Sequence, residues 1–441
     1  MATDSSRCPF SPRFLDLRQV NAKLRTYTLG CKVNQYETEF VRQGLLRAGY
    51  EDAVENQAAD LCIVNTCTVT AEGDSKSRQV IRRLHKDNPE ARIVVMGCYA
   101  TRAPEEVGQL PGVVEVVTDK RELPDLLGRH GVVDIPTGIS GLVGHRRAFV
   151  KVQDGCLLNC SYCIIPHVRP QMYSRPLEEV LREVEGLEQN GYQEVVLTGI
   201  HLGHYGVDFN RNQPREAWTR LATLVRQICL RTSRLRIRLS SIEATEVTRE
   251  LIEVMAENPE RVCPHLHVCL QSGSDRILRS MRRRWNAKRI VDRCQLVASR
   301  LTHPAFTTDV IVGFPGESDE DFAATEEVCR QIGFAKLHVF PFSPRRGTPA
   351  ATMPDQVDGN VKARRVDQLL ALDRKLREAY LERLVGEEVT VMAEAEVDGR
   401  WVGTSCRFAT AAVATTQPLV RGELVKARVI AREGEQLSCI G

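Results

Sequence analysis

A chain of 441 residues is longer than one ordinary hydrophobic core can serve, so we expect two or three domains. Hydrophobic residues make up 42% and charged residues 27% of the chain, and no run approaches the roughly 20 apolar residues of a membrane span. The net charge of +3 permits a nucleic-acid partner without requiring one.

The fifteen cysteines are the most informative part of the composition. In a reducing cytosol, clustered thiols serve as metal ligands or catalysts rather than as disulfides. The polar N-terminus lacks the apolar core of a secretory signal. We therefore expect a loose leader, a cytoplasmic location and no membrane partner.

The first region, residues 23–144, alternates strand and helix patterns. Its clearest strand candidates end in Gly, Thr or Cys and read KLRTYTLG, ADLCIVNTC and ARIVVMGC. Helical patterns follow over about 35–48, 71–85 and 103–110. This order predicts an N-terminal α/β domain in which helices cover a parallel sheet.

The second region, residues 145–384, repeats a strand followed by a helix about six times. The strand candidates are AFVKVQ, EVVLTG, LRIRLSS, HLHVCLQS, AFTTDVIVG and AKLHVFPF. These units predict a partial, TIM-like βα barrel whose site lies at the C-terminal ends of the strands. A long charged helix over about 355–383 follows. The tail, residues 385–441, has short alternating strands and Gly turns, which predict a small antiparallel β-barrel.

Three cysteines lie within eight residues just after the first barrel strand, in the run CLLNCSYC at 156–163. Iron–sulfur clusters normally take four cysteines, so Cys156, Cys160 and Cys163 would leave one iron free to bind a small molecule. The alternative is a structural zinc site with His167 as the fourth ligand. The CxxxCxxC spacing is unusual for zinc, and the position at a barrel mouth favours chemistry.

Three further cysteines, Cys31, Cys67 and Cys98, each end a predicted strand of the first domain. The C-terminal ends of parallel strands share one edge of a sheet, so these thiols are expected to converge there. Cys62 lies inside a strand and is interpreted as a core residue. The histidines show no paired metal-ligand spacing and are expected to pack or face solvent; they include His201, His204, His265, His267 and His338.

CxxxCxxC after the first strand of a βα barrel resembles the radical S-adenosylmethionine superfamily. The whole chain from about Lys23 resembles the methylthiotransferase family. The matching motifs are LGCKVNQYE (29–37), NTCTVT (65–70), GCYA (97–100), DGCLLNCSYCIIP (154–166), SSIE (240–243), LQSGSD (270–275) and TDVIVGFPGE (308–317). Within the family, GCKVNQYE resembles the branch that modifies N6-threonylcarbamoyladenosine in tRNA, rather than the isopentenyladenosine or ribosomal-protein branches.

This resemblance implies two 4Fe-4S clusters, both catalytic. The barrel cluster would cleave S-adenosylmethionine to a 5′-deoxyadenosyl radical, and the N-terminal cluster would carry the sulfur that is methylated and delivered to C2 of the adenine at position 37. It also implies tRNA, a reducing electron-donor protein and a sulfur donor as partners, and a tail that is a TRAM RNA-binding domain. The alternatives are another methylthiotransferase substrate, either a different adenosine or a ribosomal protein, and a non-catalytic iron–sulfur RNA-binding sensor.

Further residues are assigned through the same resemblance. The expected contacts of S-adenosylmethionine are Thr198, Gly199, Glu243, Gln271, Arg175 and Gly313. The expected contacts of the modified base are Lys32, Asn34 and Gln35, which could offer a cation and amide donors to a threonylcarbamoyl group. The chain departs from the family at Pro170, where a Gly is usual. Proline cannot adopt a positive φ and has no N–H, so this loop should run differently here.

Overall fold

The computed structural model describes residues 21–214 and 217–441, and the predicted leader lies outside them. Within these residues, no helix combines the length and the apolar character that crossing a membrane requires. The fold is α/β with a β-rich tail, which confirms the predicted class.

The first sheet has five parallel strands in the order β2-β1-β3-β4-β5. They are β1 (Lys23–Thr28), β2 (Glu51–Asp52), β3 (Leu61–Thr66), β4 (Arg92–Gly97) and β5 (Val113–Val116). The helices around them are α1 (Lys32–Arg47), α2 (Ala71–Asp87), α3 (Cys98–Arg102), α4 (Pro104–Gly108) and α5 (Leu123–Arg129). Every residue of β3 is buried, because helices cover both faces of the sheet.

Alternate residues of β3 enter two separate cores. Ile63 packs with Val41 and Leu45 of α1, whereas Cys62 and Val64 pack on the face that holds α2. Cys62 is therefore a core residue, as the sequence predicts.

The second region forms a partial barrel. Its strands are β6 (Ala148–Asp154), β7 (Tyr173–Ser174), β8 (Glu194–Gly199), β9 (Arg236–Leu239), β10 (Ser241–Ile242), β11 (His265–Val268), β12 (Ala305–Val312) and β13 (Lys336–Pro341). They pair as β7-β6-β8-β9 and β10-β11-β12-β13, and a bridge between Ile237 and Val262 joins the two halves. All pairs are parallel except β6 with β7, a short antiparallel pair that the sequence pattern did not indicate.

The first helix of this region, α6 (Ile165–Val168), packs against α3 of the first domain. The helices that accompany the barrel strands are α7 (Leu177–Gln189), α8 (Leu221–Arg231), α9 (Arg249–Glu257), α10 (Asp275–Ser280), α11 (Ala287–Ala298), α12 (Asp319–Ile332) and the long α13 (Gly359–Glu382). The barrel stays open between β6 and β13, since these two strands are not paired. The C-terminal ends of β6, β8, β10 and β11 form the mouth.

The tail is a curled six-stranded sheet in the order β14-β18-β19-β17-β16-β15. Its strands are β14 (Glu388–Met392), β15 (Ala395–Val397), β16 (Arg400–Thr404), β17 (Thr410–Ala414), β18 (Leu424–Glu433) and β19 (Gln436–Ile440). The pairs are antiparallel except β17 with β19. A bridge from Val391 to Ser405 brings β14 to the end of β16, so the sheet curls into the barrel-like form that was predicted.

Buried ion pairs fix the tail against the start of the barrel strands. Glu194 is fully buried and pairs with Arg236 and Arg238. Burial alone would raise the pKa of Glu194, but the two arginines outweigh it and lower the pKa to about 2. The same arginines donate to tail carbonyls, Arg236 to Thr390 at 2.7 Å and Arg238 to Ser405 at 2.9 Å. The tail thus closes the end of the barrel opposite the mouth.

Candidate active site

Cys31, Cys67 and Cys98 lie just beyond the C-terminal ends of β1, β3 and β4, three neighbouring parallel strands. Burial raises the pKa of Cys31 and Cys67, and Cys98 raises both further, so the thiols of Cys31 and Cys67 lie near Cys98. The structure therefore brings together residues that are distant in sequence, as the topology of a parallel sheet requires.

Glycines before two of these cysteines have a physical reason. Gly97 has φ +98°, and a Cβ there would lie 2.4 Å from the carbonyl oxygen and 2.5 Å from the nitrogen of Thr66. Gly30, also at φ +98°, would place a Cβ 3.0 Å from the Cβ of Cys67. Only glycine lets the chain turn this tightly beside the neighbouring strand end.

A buried arginine from the barrel domain reaches the first set of thiols. Arg169 bonds both carboxylate oxygens of Glu37 in α1, at 2.7 and 2.8 Å, and Asp154 at the end of β6 at 2.8 Å. Its Nε lies 3.5 Å from Cys98 Sγ. Lys151 completes the group by pairing with both acids. Two cations and two carboxylates are thus buried between the domains with their charges balanced.

The pKa values follow from this arrangement. Burial would raise the pKa of Glu37 and Asp154, but Arg169 and Lys151 outweigh it and lower both. Burial raises the pKa of Cys31, and Arg169 offsets only part of the rise. Bound iron would hold these thiols as thiolates, and the buried guanidinium supplies a positive charge beside them.

Cys156, Cys160 and Cys163 share one loop between β6 and α6. Ser161 fixes the loop, because its amide donates to the Met281 carbonyl at 3.1 Å and its hydroxyl to the Ser280 carbonyl at 2.8 Å. Burial raises the pKa of Cys156 to about 11 and that of Cys163 to about 12. These thiols form the second set, at the barrel mouth.

Two neighbours of the barrel thiols were not identified from sequence. His201 Nδ1 lies 3.4 Å from Cys156 Sγ, and its Nε2 pairs with Glu246. Arg283 lies 3.4 Å from Cys160 Sγ and forms an ion pair with Glu243. The only sequence signal for His201 is its position two residues after the end of β8, where a barrel site is expected.

Both sets fit iron–sulfur clusters better than single zinc ions. A tetrahedral zinc bonds each sulfur at about 2.3 Å and so needs the sulfurs within about 4 Å of one another. Neither set of three sulfurs lies within 4.8 Å throughout; among the described residues, the only three-ligand group that close is His201, His204 and Glu246. His167, the fourth ligand of the zinc alternative, is exposed. A four-iron cube is wider, and three thiols leave it one open iron.

Four of the six residues predicted to contact S-adenosylmethionine lie at the mouth. Thr198 and Gly199 end β8, Glu243 follows β10, and Gln271 follows β11. Arg283 forms an ion pair with Glu243 and contacts Cys160, so Glu243 lies near the loop that carries Cys156, Cys160 and Cys163. Gln271 has φ +65°, a conformation that side chains rarely adopt and that is often found at functional sites.

The other two residues have structural partners. Arg175 pairs with Glu183 at 2.5 Å and donates to the carbonyls of Lys151 and Thr137 at 2.8 and 2.6 Å. These contacts hold its guanidinium away from the four residues at the mouth. Gly313 follows β12 at φ +68°, and a Cβ there would lie 2.3 Å from the side chain of Lys362 in α13. Close packing alone accounts for this glycine.

The residues predicted to contact the base separate into two environments. Asn34 is buried and donates to the carbonyls of Leu29 at 2.9 Å and Thr66 at 3.1 Å, so it ties two strand ends together. The Oε1 of Gln35 is buried without a partner. Lys32 alone lines a cavity of about 640 Å³ that extends into the barrel.

Comparison with known proteins agrees with these two sites. The family described as Uncharacterized protein family UPF0004 matches residues 23–119, and the Radical SAM superfamily matches residues 150–329. The Threonylcarbamoyladenosine tRNA methylthiotransferase MtaB of Bacillus subtilis is 39% identical over 432 residues, 93% of this chain and 94% of that protein. The MtaB of Thermotoga maritima is 37% identical over 84% of this chain and 86% of its own length.

The chain belongs to the radical S-adenosylmethionine methylthiotransferase family. Membership implies S-adenosylmethionine and two 4Fe-4S clusters as cofactors, which confirms the prediction and agrees with the two thiol sets. A second branch also matches this methylthiotransferase: a tRNA-2-methylthio-N(6)-dimethylallyladenosine synthase of Corynebacterium urealyticum is 34% identical over 85% of this chain and 73% of that protein.

Solved structures confirm the fold of this methylthiotransferase. The radical S-adenosylmethionine methyltransferase TsrM from Kitasatospora setae superposes with a TM-score of 0.53 at 15% identity, over 75% of each chain. The cobalamin-dependent S-adenosylmethionine radical enzyme OxsB gives a TM-score of 0.52 at 12% identity, over 82% of this chain and 56% of its own. At such identities the likeness concerns the fold alone.

Proposed function

We propose that this chain is a tRNA methylthiotransferase that adds a methylthio group to C2 of N6-threonylcarbamoyladenosine at position 37 of tRNA. The observation that carries the proposal is the presence of two three-thiol sets on two domains. The buried Arg169 links the two domains beside the N-terminal set. The relatives named for this activity are 31–39% identical to the chain, which supports the choice of substrate.

Each domain has its own task in this proposal. Residues 23–144 hold the sulfur-carrying cluster through Cys31, Cys67 and Cys98. Residues 145–384 hold the other cluster through Cys156, Cys160 and Cys163, and residues 385–441 bind RNA as a TRAM domain. When bound, a cluster with one iron free of protein ligands supplies the electron that cleaves S-adenosylmethionine to a 5′-deoxyadenosyl radical.

The polar groups at the mouth orient S-adenosylmethionine. The backbone of Thr198 and Gly199 and the side chains of Glu243 and Gln271 come from neighbouring strand ends beside the thiol loop, which supports this role. The assignment of Arg175 and Gly313 to S-adenosylmethionine rests on the family resemblance alone, since their contacts in the structure are structural. Burial raises the pKa of Glu243, and Arg283 offsets part of that rise. The ion pair with Arg283 favours the ionised form of Glu243, and burial opposes it.

The chemistry explains why a radical is needed. The C2–H bond of adenine has no useful acidity, so a side-chain base at neutral pH cannot open it. A 5′-deoxyadenosyl radical can abstract this hydrogen atom and become 5′-deoxyadenosine. Cys31, Cys67 and Cys98 would hold the cluster with the sulfur to be transferred, a second S-adenosylmethionine would methylate that sulfur, and the electron left on forming the carbon–sulfur bond would pass to the cluster. An electron-donor protein must supply the reducing electron and a sulfur donor must restore the transferred atom. Both are partners in the proposal.

Nucleoside mass spectrometry tests the function. Anaerobically reconstituted protein is incubated with S-adenosylmethionine, a reductant and tRNA carrying N6-threonylcarbamoyladenosine, then the RNA is digested. We expect the 2-methylthio derivative of that nucleoside. If a product forms only from isopentenyladenosine tRNA, the chain has the substrate of the other branch. If S-adenosylmethionine is not cleaved, the chain is better explained as a non-catalytic iron–sulfur protein.

A further inference from the structure

The cavity lined by Lys32 adjoins the N-terminal thiol set and extends along the barrel strands. Lys32 follows Cys31 directly, which connects the cavity to the N-terminal set. Ser241 and Asp309 line its other end, and the Asp309 carbonyl bonds the amide of Gln271 at 2.9 Å. The volume of about 640 Å³ is in the range of small-molecule sites. The lining therefore connects the N-terminal thiol set with the segment that holds Gln271 at the mouth.

Lys32 is a cation without a carboxylate partner among the described residues. Its ammonium lies 6.0 Å from the ring of Phe149. Arg147 and Arg238 line the same cavity, so the Lys32 ammonium lies among other cations. An ammonium in such a place is stabilised by an anion. The feature therefore points to a negatively charged ligand.

The floor of the cavity is built from the barrel and the tail together. The ring of His265 stacks on Phe408 of the tail, with 4.5 Å between centroids and 6° between planes. Its Nε2 lies 3.0 Å from the hydroxyl of Thr307, which also contacts His267 Nδ1 at 3.0 Å. His265 is 3% exposed, and its Nδ1 has no partner. A buried polar atom without a partner is costly, so a ligand group is expected here.

We infer that this cavity is the subsite for the threonylcarbamoyl substituent: Lys32 binds its carboxylate, and His265 Nδ1 binds its hydroxyl. The inference rests on the proposed function and specifies which side chains bind the threonylcarbamoyl group. A secondary hydroxyl both donates and accepts, so it satisfies Nδ1 in either tautomer of a neutral imidazole. Burial lowers the pKa of His265, which keeps the ring neutral.

The remaining lining fits the rest of the substituent. Phe149, Phe340 and Phe408 provide apolar surface for its methyl group. Arg146 and Arg421 lie at the same cavity, where cations can contact RNA phosphates. An isopentenyl group would leave Lys32 without its anion and His265 without its partner. The cavity therefore selects against the substrate of the other branch by leaving polar groups unsatisfied.

Binding measurements on a series of RNAs test the inference. The probes are anticodon stem-loops that differ only at the base after the anticodon: N6-threonylcarbamoyladenosine, its glycine analogue that lacks the hydroxyethyl group, N6-isopentenyladenosine, and adenosine. Kd is measured by fluorescence anisotropy with reconstituted, full-length protein. The wild type should prefer the threonylcarbamoyl form over adenosine by about 10- to 100-fold, and over the glycine analogue by about 5- to 10-fold.

Two variants assign those preferences to residues. Lys32→Met keeps the length of the side chain and should reduce the preference over adenosine to a few-fold, with little change in the Kd for adenosine RNA. Lys23→Met is the matched control, because Lys23 pairs with Glu51 at the opposite end of β1. His265→Phe keeps the stack on Phe408 and should abolish the preference over the glycine analogue alone.

The outcomes separate this inference from the proposed function. If Lys32→Met retains the full preference while the wild type still methylthiolates threonylcarbamoyladenosine, the subsite is wrong and the function stands. If the wild type modifies only isopentenyladenosine RNA, the function itself fails. Should His265→Phe not fold, the wild-type series and the Lys32 pair still decide, since equal binding of all four RNAs would overturn the subsite.

Discussion

The two thiol sets are built in different ways. Cys156, Cys160 and Cys163 come from one loop, and hydrogen bonds to neighbouring segments hold that loop in place. Cys31, Cys67 and Cys98 come from three strand ends and meet only when the whole N-terminal sheet has formed. The barrel set depends on the local geometry of one loop, and the N-terminal set depends on tertiary structure. The N-terminal set is therefore the one that distant substitutions should disturb.

The two sets also differ in which domain supplies the neighbouring cation. The barrel set has its cation, Arg283, from the same domain. The N-terminal set has Arg169, which belongs to the barrel domain and bonds Glu37 of the other. Docking of the two domains thus completes the electrostatics of the N-terminal site. In the proposed function, the sulfur-carrying centre would therefore require the docked radical-generating domain.

Removing each set of thiols gives the largest expected contrast. Intact protein should hold about eight irons per chain if both clusters have four, and either triple Cys→Ala variant about four. The variant at 156, 160 and 163 should lose all formation of 5′-deoxyadenosine. The variant at 31, 67 and 98 should keep that cleavage and lose methylthiolation. Four irons in the intact protein, or no cleavage by the second variant despite a barrel cluster, would contradict the division of roles.

Arg169→Met tests the dependence on domain docking. It leaves Glu37 and Asp154 buried with Lys151 as their remaining cation, and breaking a buried pair costs about 3–5 kcal/mol. We expect a lower thermal midpoint and selective loss of the N-terminal iron, with the barrel cluster retained. Arg231→Met, which removes an exposed pair with Glu185, is the control and should change little. Equal iron loss from both sites would show that iron binding at both thiol sets depends on Arg169.

Gly97→Ala tests the assembly of the strand ends. The added Cβ meets the Thr66 backbone at 2.4 and 2.5 Å, and the residue must hold φ +98°, so the end of β4 has to move. The N-terminal iron should fall while cleavage of S-adenosylmethionine persists. Gly49→Ala has the same type of φ, at +92°, without any atom within 4 Å, and should cost only about 1 kcal/mol with full iron content. Matching iron losses in the two variants would mean that backbone conformation, and not the strand contact, decides.

The contrast between the two sets also explains what the sequence could predict. The thiols of both sets were identified, because a local motif and strand-end positions are visible in a linear pattern. The contacts of Arg169 and the burial of Asn34 were not, since they arise where two domains meet. The strand β7 was missed because two residues carry no periodicity. Arg175 was assigned to the mouth by its place in a motif, and its actual partners depend on the path of the loop.

Pro170→Gly has the smallest expected effect and concerns that loop. Pro170 is exposed and lies beside Arg169, whose side chain makes the contacts to both domains. Glycine allows the unfolded chain more backbone conformations than proline does. The free energy of unfolding should therefore fall by about 0.5–1 kcal/mol, which is measured as a small shift of the urea midpoint. Iron content should stay unchanged, because the variant removes no bond of Arg169. Turnover should stay unchanged as well, since the loop is positioned by Gln171 against Gly155, where a Cβ would lie 2.0 Å from the Gln171 carbonyl oxygen. A variant with full iron but much weaker tRNA binding would instead assign Pro170 a contact with the RNA, and would show that this exposed proline takes part in recognition.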